Sequence, residues 1–330
     1  MFLHREVIKQ SWKIVWRSKY LWFFGFFAVF FSGHSGLEII TRGLGIEAKT
    51  MPLIDTKTLA ETGIFNMQSV ANLGKLLMKD PFSTVVLMLI LLLILVIVLF
   101  VIWLSNVSQA AIVNNVACIS ENKDTNFQEG VMTGMKSFWP VFILNIFKKV
   151  AIFIIFALMS LPLLMSEGAI NLVPGNIIFS ILFVLLVPVI VSLAFVVNFA
   201  ISYVVIKKEK FNSAVKQAIG LFTKNWLVSI EMGFLIYLVS LLVSFGAILL
   251  MLLLVTPFLL LSYFAMTIQS VGLFGVVIAA AFIAFILIIV FFGAILSTFQ
   301  NSASTLFFIK LVGGGGTSKI VRVFDKNQRS

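Results

Sequence analysis

The chain is poor in the residues that most soluble enzymes use. Cys118 is its one cysteine, and His4 and His34 are its two histidines. A single thiol excludes an intramolecular disulfide framework and a cysteine-rich metal site. Charge is scarce: Asp, Glu, Lys and Arg make up 11% of 330 residues. Neither G-x-S-x-G nor H-E-x-x-H occurs, so two common hydrolytic arrangements are missing. Residues 313–319, GGGGTSK, have the composition of a phosphate loop but the wrong order. A phosphate loop places lysine before the hydroxyl residue and follows a strand. The stretch reads as a flexible linker. No cofactor, metal or catalytic centre is expected.

What the chain has in excess is apolar surface. Hydrophobic residues make up 61%, with 35 Phe and 12 Met, and the mean hydropathy is +1.12. Residues 85–104 form an uninterrupted apolar run, long enough to cross about 30 Å of hydrocarbon as a helix. The net charge of +11 falls between such runs, which points to membrane topology rather than nucleic acid. The basic start leads into an apolar span without a small-residue cleavage pattern, so no cleaved signal peptide is expected.

Six spans are expected, beginning near Tyr20, Pro81, Phe138, Asn176, Asn225 and Val271. The fifth should end near Pro257, and Pro188 should kink the fourth. Residues 37–80 form the longest connection, with a surface helix over 57–79. Residues 312–330 form the Gly-rich linker and basic tail. Three basic stretches have helical amphipathic spacing: the N-terminus, 121–136 and 207–224. In the last two the apolar faces are Phe127, Val131, Met132 and Met135, then Phe211, Ala214, Val215, Ala218, Ile219 and Phe222. Nineteen of the 24 Lys and Arg fall on one side of this topology. Both termini are therefore expected in the cytoplasm, in a bacterial inner membrane.

The spans echo one another. Residues 198–207, NFAISYVVIK, return at 301–310 as NSASTLFFIK, and a fainter copy starts at Gln109 as QAAIVNNVA. The odd spans open alike, with Lys19 before Trp22, Lys136 before Trp139, and Lys224 before Trp226. Lysine reaches headgroup phosphate while tryptophan sits at the boundary. The expected fold is all-α: a polytopic bundle of three parallel two-helix repeats (1–120, 121–207, 208–311) with amphipathic helices on the cytoplasmic side. This pattern resembles the bacterial six-span proteins related to the membrane domain of glycerophosphoryl diester phosphodiesterases. In the fused relatives catalysis belongs to a separate soluble barrel, so the resemblance implies membrane architecture without that activity.

Three sets of residues are candidates for function. Asn106, Gln109, Asn114, Asn198, Ser202, Gln300, Asn301 and Ser304 lie at the cytoplasmic ends of the even spans. They read either as interhelical hydrogen-bond partners or as a polar vestibule. Glu231 is the acid inside span five, about 10 Å beyond Lys224. It pairs with Lys148 or Lys149, meets headgroup water, or couples transport. The third set is the Lys–Trp collar of Lys19, Trp22, Lys136, Trp139, Lys224 and Trp226. Anionic lipid headgroups are the expected partners, together with a protein partner in the membrane. The leading expectation is a non-enzymatic lipid-interacting or membrane-organising protein. A small-solute permease and an intramembrane lipid-modifying enzyme are the alternatives. His34 reads as a loop residue and Cys118 as a buried small hydrophobe.

Overall fold

A computed structural model of the chain describes residues 3–32, 81–165 and 175–314. Every regular element among them is an α-helix. In chain order these are α1 (Leu3–Arg17), α2 (Leu21–Ser32), α3 (Pro81–Ser120), α4 (Phe127–Lys136), α5 (Phe138–Met165), α6 (Gly175–Ile206), α7 (Phe211–Lys224), α8 (Trp226–Thr267) and α9 (Val271–Val312). The 37–80 connection with its expected surface helix, His34, the turn at 166–174 and the tail from 315 lie outside the described residues.

Among the described residues five helices are long and apolar enough to cross a membrane: α3, α5, α6, α8 and α9. The chain is thus an all-α, multi-pass membrane protein. The first expected span corresponds in position to α2, a helix of twelve residues. One expected boundary needs correction. α8 does not end near Pro257 but continues through it to Thr267, as α6 continues through Pro188. Proline removes one backbone hydrogen bond. Ending the helix among apolar residues would leave several unpaired in hydrocarbon, which costs more.

The even helices change character along their length. In α3 the side chains from Val85 to Phe100 are exposed and apolar, whereas Ser105 to Val113 are all buried. In α9 exposed apolar residues dominate from Val271 to Phe291, and then residues 297–308 are buried without a break. Twelve consecutive buried residues turn through more than three helical turns, so this part of α9 is enclosed on every side. α6 follows the same course, exposed near Val184 and Leu185 and buried from 197 to 205. The exposed stretch of α9 from 271 to 291 is about 32 Å long, close to the ~30 Å of hydrocarbon, while all 42 residues span about 63 Å.

The buried halves form one core with the amphipathic helices. α1 lies on α9, where Trp12 meets Phe299 edge-on at 5.4 Å. α2 lies on α9 through Gly25, where an added Cβ would strike Thr298 Oγ1 and the Ala294 carbonyl. Thr298 Oγ1 is also 3.1 Å from the Leu21 carbonyl. α4 lies on α3 through Gly130 and Gly134, set against Asn115 and the Val107 carbonyl. α7 lies on α6, burying Ala214 and Ala218. α8 meets α6 where Gly233 faces the Phe195 ring. α6 and α9 interlock through Phe199, whose ring centre is 6.0 Å from those of both Phe307 and Phe308.

The buried face of α4 differs from expectation. Glycines make the contact, and Phe127, Met132 and Met135 are exposed. The helices approach so closely that a larger residue has no room at the glycines; Met132 and Met135 are left outside, while Phe127 stacks on Phe24 of α2 at 4.7 Å. Ile219 of α7 is likewise exposed.

Close approach at Gly25 gives a direct test. Gly25→Ala should destabilise the folded protein by about 1–3 kcal/mol, because the methyl group overpacks a rigid backbone contact. Gly246→Ala, where nothing lies within 4 Å, should be neutral or slightly stabilising. Thermal unfolding in detergent compares the two.

Candidate functional site

The polar residues of the buried halves mostly hydrogen-bond within the core. Asn145 of α5 is the hub of the first cluster. Its Nδ2 donates to Asn106 Oδ1 at 2.9 Å and to Gln109 Oε1 at 2.6 Å, and all three residues are buried. The geometry follows from spacing: 106 and 109 are three apart on α3 and present neighbouring amides to one partner. On α9, Gln300 Nε2 donates to Ser240 Oγ of α8 at 2.9 Å. Asn301 Nδ2 donates back to the Ser297 carbonyl at 2.9 Å. Ser202 Oγ donates to the carbonyl of Asn198 at 2.9 Å. Asn198 and Ser304 are buried, and Asn114 is half-buried.

Glu231 meets a partner that sequence spacing does not suggest. His4 of α1 is buried, and its Nε2 is 3.4 Å from both Glu231 Oε2 and the Val228 carbonyl. A second contact joins α1 to the last helix: Lys310 Nζ is 2.7 Å from Glu6 Oε1. Hydrogen bonding and charge from Lys310 hold the Glu6 carboxyl below the usual carboxylate range. The two contacts tie the first helix to the last two. Lys148 is buried at 2% exposure, the one buried lysine among the described residues, while adjacent Lys149 is exposed.

The collar residues occupy the opposite environment. Lys19, Lys136 and Lys224 are exposed, as are Trp139 at 67% and Trp226 at 55%. Trp22 is half-buried, with its Nε1 donating to the Val15 carbonyl at 2.8 Å. Cys118 is half-buried near the end of α3. Among the described residues no group of three His, Cys, Asp or Glu could hold a metal ion.

Sequence reasoning missed Asn145, Ser240 and His4. Asn145 carried a visible signal, being an amide within the apolar run of α5. His4 carried none, because its partner is 227 residues away along the chain. The fold and these clusters define the protein as a multi-pass helical membrane protein with a polar core. No protein family, curated protein or solved structure matches the chain.

Replacing Asn145 with Leu removes both donors and leaves the oxygens of Asn106 and Gln109 facing an apolar group. The expected loss is about 1–2 kcal/mol, the scale of polar pairs between membrane helices. Thermal unfolding of the purified variant measures it; an unchanged midpoint would show that the hub contributes nothing.

Proposed function

We propose that this is a non-enzymatic protein that binds and organises anionic lipid at the cytoplasmic surface of a bacterial inner membrane. The carrying observation is the set of exposed residues around the buried core. Each amphipathic helix ends in exposed apolar and basic groups: Trp16 and Arg17 on α1, Met132, Met135 and Lys136 on α4, Ile219 and Lys224 on α7. Trp139 and Trp226 follow the last two directly. Basic groups beside tryptophan at the start of a span suit a headgroup layer of phosphate above acyl chains.

A threefold repeat underlies this reading. α1 and α2 lie on α9, α4 on α3 and α7 on α6, while the odd spans α5 and α8 pack chiefly on the even helices that follow them, α6 and α9. Each amphipathic helix thus packs on the even helix that precedes it, cyclically for the first. Equivalent packing supports three parallel units, each presenting one Lys–aromatic edge to the bilayer. The exposed halves of the even helices lie in hydrocarbon on this account. The buried polar halves form a cap at and beyond the cytoplasmic headgroups. Both chain termini share that side.

The test is retention of anionic phospholipid by the purified protein, read by native mass spectrometry. Each basic group near an anionic surface contributes about 1 kcal/mol. Replacing Lys19, Lys136 and Lys224 together with Gln should therefore weaken retention by up to about a hundredfold. Equal retention by the triple variant and the wild type would remove the reading.

Orientation has its own test, because Cys118 is the only thiol. A membrane-impermeant maleimide added outside intact spheroplasts should leave Cys118 unlabelled, and labelling should appear after disruption. Labelling from outside would invert the topology.

A second reading, a small-solute permease, draws on the contact between Glu231 and His4 within the core. It requires proton-coupled flux in liposomes that Glu231→Gln abolishes.

A further inference from the structure

One face of α3 is more polar than the fold requires. Ser105 and Ser108 are buried at 1% and 0% exposure, and Asn115 at 0%. Positions 105, 108 and 115 fall within about 80° of one another on a helix and extend over about 15 Å. Neither serine hydroxyl has a hydrogen-bond partner, nor does either amide atom of Asn115. Asn145 Oδ1, on the neighbouring α5, also lacks one. Leaving a buried polar group unsatisfied costs about 1–3 kcal/mol, and native structures hold few of them.

Of the two echoing helices, α6 does without these residues, whereas α9 carries Ser297, Gln300 and Phe307 at the equivalent positions. Counting from the echoed amides Gln109 and Asn198, the α6 positions equivalent to 105, 108 and 115 are Ala194, Val197 and Val204. Apolar side chains fill the same place there, and Val197 and Val204 are buried in the core.

We propose that this face of α3 lines a polar cleft that takes water and small neutral hydroxylic solutes of glycerol size. The orphaned groups comprise hydroxyls, an amide N–H₂ and carbonyl oxygens. They can therefore both donate to and accept from a hydroxyl group, and none carries charge. Buried polar groups of this kind are the ones that ordered water satisfies. The cleft begins at Asn115, against which Gly130 of α4 packs tightly, so that entry there requires α4 to shift. It ends near Ser105, before the exposed apolar residues of α3. It therefore enters the cap without crossing the hydrocarbon. The proposal is independent of lipid binding at the collar, which concerns the outer surface of the cap.

Alkylation of introduced cysteines tests it. In a Cys118→Ser background, Ser105→Cys, Ser108→Cys and Asn115→Cys probe the face. Ala110→Cys and Val113→Cys probe buried positions on the other side of α3. Each folded protein in a lipid nanodisc is treated with iodoacetamide, which is small and neutral. The first three should react about tenfold faster than the last two, since access controls thiol reactivity. Glycerol should slow the first three alone. If Asn115→Cys does not fold, the near-isosteric serine replacements carry the test. Five equally unreactive positions would overturn the proposal, and so would five equally reactive ones, which would indicate general opening.

Discussion

The structure depends on enclosing polar stretches of helix in protein rather than hydrocarbon. Residues 297–308 of α9 are buried on every side, yet seven of the twelve are Ser, Thr, Asn or Gln. Nothing in hydrocarbon satisfies such groups, so protein must surround them. Serine and threonine bond back to their own helix, as Thr305 does to the Asn301 carbonyl at 2.7 Å. Gln300 instead requires Ser240 on α8. The same need brings Asn145 to Asn106 and Gln109. The polar halves of the even helices thus explain why short amphipathic helices and the beginnings of the odd spans gather around them.

The closest backbone approaches in this core are made by glycines, while aromatic rings such as Phe199, Phe299 and Phe307 fill it. Gly25, Gly130 and Gly134 let backbones meet at distances a methyl group would prevent, the usual basis of helix association where lipid competes with protein for apolar contact. On α4 this choice has a second effect. A glycine face docks inward, so Met132 and Met135 are left outside beside Lys136. Interior packing and the exposed collar are therefore two sides of one short helix.

Much of the fold was legible in the sequence, because apolar runs and basic breaks determine helix limits directly. α3, α5 and α6 begin at or beside their expected starts, and the amphipathic helices appear where 3.6-residue spacing places them. The fifth span was misjudged because proline is a weaker terminator in lipid than in water. Of the site, the buried amides at 106, 109, 198, 300 and 301 stood out as polar residues in apolar surroundings. Their partners did not. His4 meets Glu231, and Ser240 meets Gln300, through tertiary contacts that local periodicity does not encode. The glycine contacts were hidden for a related reason: a glycine on an amphipathic helix looks like an interruption of its apolar face.

The central claim is that the exposed apolar halves of the long helices face lipid while the enclosed polar halves form a cap bordered by the collar. Spin labels report this depth directly. Nitroxides attached at Leu253 and Leu287, both exposed on the apolar halves, and at exposed Lys216 on α7 should be compared in liposomes. Relaxation by oxygen should dominate at the two leucine sites, and relaxation by a water-soluble nickel complex should dominate at Lys216. Strong relaxation by the nickel complex at Leu253 or Leu287 would contradict the account.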